Sequence, residues 1–202
     1  MKIGIIGSGL IGAPLGRLWA AAGHEVMFSS RHPEKLENLA AKAGAQTGTI
    51  DEAAEFGEVI MEAIPFKSIP DLPADKFTGK VVLSAANYYP SRDGQIDLGG
   101  MTQSEWVASH LPGAKLVKAF NMMRAGVIEA LAEGNGTPGL AILIASDYED
   151  AKAVAEQLIR EAKFEPVDVG SLADSSVFQA TDAPLYDVRI SPEAVRQQLA
   201  QL

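Results

Sequence analysis

With 202 residues, 47% of them hydrophobic, the chain has enough apolar material for one domain with a sizeable core and no covalent staple. It contains no cysteine, which excludes disulfides, thiolate metal sites and a cysteine nucleophile. A net charge of −9 without a dense Lys/Arg cluster argues against nucleic acid, and no apolar stretch nears the roughly 18 residues of a membrane span. The expected setting is a soluble cytoplasmic protein that handles small molecules.

The predicted elements alternate. "KIGIIG" (2–7) is a buried-strand run ending in glycine, too short and too rich in glycine for a signal peptide. Residues 10–23 carry helix-period apolar positions and stop at Gly23. "HEVMFSS" (24–30) is the next strand. "HPEKLENLAAKAG" (32–44) is a helix with Pro33 in its first turn and Gly44 as its stop. A weak strand (45–49), a short helix (51–57) capped by Asp51, and the strand "EVIMEAIP" (58–65) follow. Next come the strand "KVVLSAAN" (80–87), a long loop, a helix near 102–110, the strand "AKLVKAFN" (114–121) and a helix over about 123–133. The strand "GLAILIAS" (139–146), an amphipathic helix (148–162), the strand "FEPVDVG" (164–170) and a helix (191–201) capped by Ser191 complete the order. Such alternation calls for an α/β fold, a doubly wound parallel Rossmann-type sheet with helices on both faces. Residues 1–202 read as one domain, with 147–202 as a C-terminal extension packed on it.

"GSGLIG" (7–12) is G-x-G-x-x-G between a strand and a helix, the context in which that pattern signals a dinucleotide. Gly7 permits the tight turn, Gly9 lets backbone approach a pyrophosphate, and Gly12 lets the helix pack close to the strand. Free N–H groups and the helix dipole hold the negative charge.

The end of the second strand selects the dinucleotide. An acid there accepts from a ribose hydroxyl, whereas a cation accommodates a 2′-phosphate. Here the chain reads "FSSRHPEK" (28–35), with no acid before Glu34. Arg31 can fork onto phosphate and stack on adenine, Ser30 can donate a hydrogen bond, and Lys35 can reach back from the next helix. Ser29 either shares this work or points into the sheet. The competing reading is a solvated helix start with Ser30 or His32 near its cap.

Together the glycine loop, "SSRHPEK", "AIPF", "AANYYPSRDG" and "LVKAFN" resemble the family of NADPH-dependent oxidoreductases that use the deazaflavin coenzyme F-420. The same domain type occurs in membrane metalloreductases that pass electrons through a flavin. The stretch 167–186 is similar to a bacterial branch of the family. The resemblance implies an NADP(H) site and a second redox ring, deazaflavin F-420 or a flavin, on the nicotinamide. It places Gly7, Ser8, Gly9, Leu10 and Ile11 along the pyrophosphate, Ser30, Arg31 and Lys35 on the 2′-phosphate, and Ala63, Ile64 and Pro65 beside the nicotinamide ribose. Asn87 and Asn121 end two strands, where ligands bind in such sheets; each amide either grips the carboxamide or caps a turn. Met122 and Met123 stand where many relatives carry a hydroxyl residue, and suit either a flat ring or a core. In the 87–100 loop, Arg92 either meets an anionic tail or pairs with Asp93.

Hydroxyacid dehydrogenases and pyrroline-carboxylate reductases begin with a similar loop and add a long helical domain, for which the chain after Asn121 leaves little room. Hydride exchange between two bound rings is the cofactors' chemistry, so no indispensable catalytic side chain is expected. His24, His32 and His110 are scattered and none pairs at metal-ligand spacing, so no metal site is expected. The leading expectation is an NADP(H)-dependent oxidoreductase acting on a small-molecule, flavin-like acceptor. The alternatives are an NADPH-dependent reductase of a small carbonyl or imine, with Tyr88, Tyr89 or Lys118 as proton donor, and a non-catalytic NADP sensor. An edge strand or the 87–100 loop offers a surface for a homodimer.

Overall fold

The computed structural model describes residues 1–180 and 182–202; Thr181, inside the 167–186 stretch, lies outside the described residues. The order opens with β1 (Lys2–Ile6), α1 (Gly12–Ala21), β2 (Glu25–Ser29), α2 (Glu37–Ala43), β3 (Gln46–Gly48), α3 (Ile50–Phe56) and β4 (Val59–Glu62). It continues with β5 (Val81–Ser84), α4 (Pro90–Asp93), α5 (Gln103–His110), β6 (Lys115–Lys118) and α6 (Ala125–Ala132). It ends with β7 (Ala141–Ala145), α7 (Glu149–Glu161), β8 (Glu165–Gly170) and α8 (Pro192–Leu199). Tight 3-10 turns fill Pro33–Leu36, Phe66–Asp71, Ala74–Phe77 and Ala173–Val177.

The strands form one eight-stranded sheet in the order β3-β2-β1-β4-β5-β6-β7-β8. Its first six strands are parallel and follow the doubly wound order with the chain reversal between β1 and β4. The expected parallel run is broken at one junction. β7 lies antiparallel to β6 and meets it in the single register pair Lys118↔Ala145, while β8 is again parallel to β7. Alternating strand and helix patterns fix element type and not direction, so a helix such as α6 can return the chain either way.

The near-continuous apolar strands are buried on both faces, as a covered parallel sheet requires. On one face α1, α6 and α7 pack Leu15, Trp19, Ile128, Leu131 and Leu158 over the sheet. Trp19 also donates its indole N–H to the Leu158 carbonyl at 2.8 Å, tying α1 to α7. On the other face α3, α5 and the 66–77 turns cover Ile60, Val82 and Leu116, with Phe66 stacked on Trp106 at 4.3 Å between centroids.

Two local starts differ from expectation. The segment at 33 begins as a 3-10 turn and becomes α-helical only at Glu37, because no side chain caps the His32 end. Helix α3 is capped by Thr49 and not Asp51: Thr49 accepts from the Glu52 N–H while Glu52 accepts from the Thr49 N–H. This reciprocal box satisfies two orphan donors, and Asp51 turns outward to pair with Lys76 at 2.7 Å. Ser191 does cap α8, and Gly44 ends α2 at φ 65°.

Candidate functional site

The carboxyl ends of the parallel strands open into one groove made of two cavities, about 440 and 520 Å³, which share Ile64 and Pro65. The smaller lies over β1 and β2. Gly7, at φ 96°, turns the chain out of β1, and a methyl group there would meet the Ala63 carbonyl oxygen at 2.5 Å. Ser8 is fastened by its hydroxyl to the Ser29 carbonyl at 3.1 Å. Helix α1 has no side-chain cap, and the N–H groups of Gly9, Leu10 and Ile11 have no protein acceptor among the described residues. Unsatisfied donors and the positive end of the dipole face the groove together.

Ser30 and Arg31 form the far wall of the smaller cavity. The Ser30 hydroxyl accepts from the His32 N–H at 3.0 Å and keeps its own proton to donate. Arg31 is exposed and makes no ion pair among the described residues. Ser29 points into the sheet and donates to the Ile5 carbonyl at 2.8 Å. Lys35 is exposed on the 33–36 turn and is not part of the wall; Leu36, Ile50 and Leu72 supply its apolar surface. Ser68 and Asp71, on the 66–71 turn, close the wall and were not foreseen. Their signal was the "FKSIPD" stretch directly after the strand.

The larger cavity continues over β4, β5 and β6. Leu10 and Ile11 stand at one side, Leu10 with 81% of its surface exposed, and Ala63, Asn87 and Asn121 line the floor. Gly12 is in neither wall and lies against the Gly7 carbonyl and Ile5. Phe120 is a fully buried aromatic at φ 61°, a conformation that costs on the order of 1–3 kcal/mol and collects at functional sites. It turns the chain so that Asn121 lines the cavity. Met122 and Met123 are both buried in the core, and Met123 also reaches the wall.

Tyr89 and Tyr186 close the outer side with a hydroxyl-to-hydroxyl bond, although they lie far apart in sequence. Arg124, beside them, pairs with Asp187. Arg92 pairs with Asp93 at 2.8 Å, the local alternative of the two considered for it. Burial would raise the Asp93 carboxyl, but Arg92 and the Tyr89 N–H outweigh it and hold the group below its ordinary range. Of the three candidate proton donors, only Tyr89 lines the cavity. Tyr88 spends its hydroxyl on Gly94 and Ile96, and Lys118 is fully buried. Tyr186 and Arg124 come from distant segments that no local pattern connects to the glycine loop.

Residues 2–88 match the family model described as NADP oxidoreductase, coenzyme F420-dependent. The F420-dependent NADP reductase of Methanothermobacter marburgensis is 30% identical over 211 residues, covering 94% of this chain and 93% of the reductase. The chain belongs to the family of coenzyme F420-dependent NADP oxidoreductases. NADP is the dinucleotide of that family, and oxidoreduction its chemistry. Rattus norvegicus metalloreductase STEAP3 is also 30% identical, over 89% of this chain, but the chain spans only 36% of that protein's length. The crystal structure of hypothetical protein SMa0349 from Sinorhizobium meliloti superimposes with a TM-score of 0.79 at 31% identity, covering 95% of both chains. Among the described residues no helix is long and apolar enough to cross a membrane.

Proposed function

We propose that this family member binds NADP(H) along the whole groove and passes hydride between its nicotinamide and a flavin-like acceptor such as deazaflavin F420. The observation that carries this reading is the buried Asn121 side chain. Only 5% exposed, the residue lines the larger cavity, and its buried Oδ1 has no hydrogen-bond partner. A buried acceptor left unpaired is costly, and the carboxamide N–H of a nicotinamide satisfies it.

The rest of the groove fits the same ligand. Gly9 presents bare backbone, with open space where a side chain would stand, and the free N–H groups after it suit a pyrophosphate. Ser30 and Arg31 suit a 2′-phosphate, with Lys35 adding charge from the rim, and Leu36, Ile50 and Leu72 suit adenine. Ala63, Ile64 and Pro65, at the junction of the cavities, flank the nicotinamide ribose. Bound NADPH supplies the hydride. The chain's residues bind, orient and exclude water, with Phe120 and Met123 forming the dry wall. Asn87 lines the same cavity and braces Asn121, with one amide N–H and one oxygen lone pair engaged there and the others free for the ligand.

Residues 1–202 act in this proposal as one unit, because β8 of the 147–202 part pairs with β7 and Tyr186 closes the groove. The acidic, cysteine-free chain suits the cytoplasm. Tyr89 favours one second reading, reduction of a small carbonyl or imine, since its hydroxyl lines the cavity and can donate a proton. Two measurements separate these. Fluorescence titration should show NADPH preferred over NADH, with Arg31→Ala weakening NADPH by roughly 1.5–3 kcal/mol and NADH hardly at all. Bleaching of deazaflavin by NADPH supports the first acceptor class; turnover of ketones or imines without any turnover of deazaflavin or flavin supports the second.

A further inference from the structure

A polar row crosses the sheet one residue inside the larger cavity. Glu62, Ser84 and Lys118 are the last residues of β4, β5 and β6 and lie in register, so their side chains leave the same face. All three are 0% exposed, on a face otherwise built from Ile60, Val82, Leu116 and Phe66. A carboxylate and an ammonium in such surroundings are costly unless every polar atom is engaged. Here Ser84 donates to Glu62 Oε2 at 2.7 Å, the Ile64 N–H donates to Oε1 at 2.8 Å, and Lys118 donates to the Ala86 carbonyl. Glu62 thus grips the bend at Ala63–Pro65, and Lys118 grips the segment at Ala85–Asn87. Both segments line the cavity that the reading above gives to the nicotinamide.

Burial pushes the Glu62 carboxyl above its ordinary range, and the hydrogen bonds from Ser84 and the Ile64 N–H and the charge of Lys118 offset this only in part. Burial pushes Lys118 down to about 8, with Glu62 opposing the shift. Each is the charged group that bears on the other among the described residues. The remaining titratable side chains on the elements over this face have their own partners or stand in solvent. Glu105 serves the Thr102 cap, His110 bonds the Trp106 carbonyl, Asp93 holds Arg92 and Asp174 holds Ser171. Lys67 bonds the Arg92 carbonyl at the surface, and Asp71 is exposed.

We propose that Glu62 is a positioning residue for the nicotinamide end of the groove, and that its buried carboxylate, balanced by Lys118, favours the oxidised ring over the reduced one. The inference rests on the NADP reading. The oxidised nicotinamide carries a positive charge that the reduced ring lacks, and a low-dielectric interior lets a nearby buried carboxylate act on that difference. Lys118 opposes the effect while it holds its proton.

The test is the ratio of dissociation constants, Kd(NADP+)/Kd(NADPH), measured by calorimetry on the wild type and on Glu62→Gln between pH 7 and 9.5. The ratio cancels the 2′-phosphate and every contact common to both redox forms. Gln keeps the shape and still accepts from Ile64. The ratio is expected to rise roughly tenfold in Glu62→Gln. In the wild type it should fall as pH passes about 8, where Lys118 becomes neutral and leaves the Glu62 charge unopposed. A structural role alone predicts equal weakening of both forms by Glu62→Gln; that result, or a flat wild-type ratio over the range, overturns the proposal. The wild-type series decides the matter if the variant does not fold. Failure to bind either dinucleotide refutes the NADP reading itself, whereas binding of both with an unmoved ratio refutes only the role of Glu62.

Discussion

Asn87 and Asn121 hold each other across the ends of β5 and β6. Asn87 Nδ2 donates to the Asn121 carbonyl at 2.7 Å, and Asn121 Nδ2 donates to Asn87 Oδ1 at 3.2 Å and to the Phe178 carbonyl at 2.9 Å. The Phe178 carbonyl can only accept, so it fixes which way the Asn121 amide points. Asn121 Oδ1 is left buried with nothing to bind. One asparagine is thereby a strut and the other an acceptor held ready.

Asn121→Leu tests that division. The substitution removes the acceptor and both donated bonds, so NADPH should weaken by about tenfold, or about 1.4 kcal/mol. The fold should lose a further 1–3 kcal/mol, by order of magnitude, from the unpaired Phe178 carbonyl. Calorimetric titration reads the first effect and thermal melting the second. The melting-temperature gain that NADPH confers should also shrink, since that gain follows affinity. An unchanged gain would mean that Oδ1 does not meet the ligand.

Tyr186→Phe addresses the other half of the larger cavity. The hydroxyl bond to Tyr89 and the Arg124–Asp187 pair hold the C-terminal segment against the groove. Burial and the contact with Tyr89 push the Tyr186 phenol above its ordinary value, so it stays neutral across the neutral range and the contact persists there. Without the hydroxyl, the outer wall loosens while the walls over β1 and β2 are untouched. The acceptor KM should rise severalfold with NADPH affinity unchanged. Steady-state kinetics at saturating NADPH provides the check, and a matching loss of NADPH affinity would place Tyr186 on the dinucleotide instead.

How much of this was legible in the sequence follows from the range of each interaction. The glycine loop, the strand runs and the stops at Gly23 and Gly44 are local, and the structure has each near its expected place. The reversal at β7 was hidden because an apolar run has no arrow. The Thr49 cap was missed because Asp51 is also a good capping residue, and only the reciprocal geometry with Glu52 decides between them. Tyr186 and Arg124 join the site through tertiary contacts that no spacing rule encodes. Glu62 and Lys118 did leave a trace, each being a charge at the end of an otherwise apolar strand run. Such a residue is either at a strand's exit or paired in the core, and the register shows it to be both.

The glycine loop yields the sharpest contrast between folding and binding. A methyl group added at Gly12 would lie 2.3 Å from the Gly7 carbonyl oxygen and 2.8 Å from Ile5 Cγ2, so the helix or the strand must move. Gly12→Ala should therefore destabilise the fold by about 1–3 kcal/mol, lowering the melting temperature by several degrees. At Gly9 the same methyl group meets no atom within 4 Å. Gly9→Ala should melt within about one degree of the wild type, because nothing in the protein resists it and alanine restricts the unfolded chain slightly. Yet it occupies the space through which a pyrophosphate must approach the backbone, so NADPH should weaken by more than about tenfold. The two variants thus separate the two readouts: stability falls at Gly12, affinity at Gly9. If Gly9→Ala binds NADPH as the wild type does, the pyrophosphate does not lie on this loop, and the dinucleotide must enter the groove in another orientation.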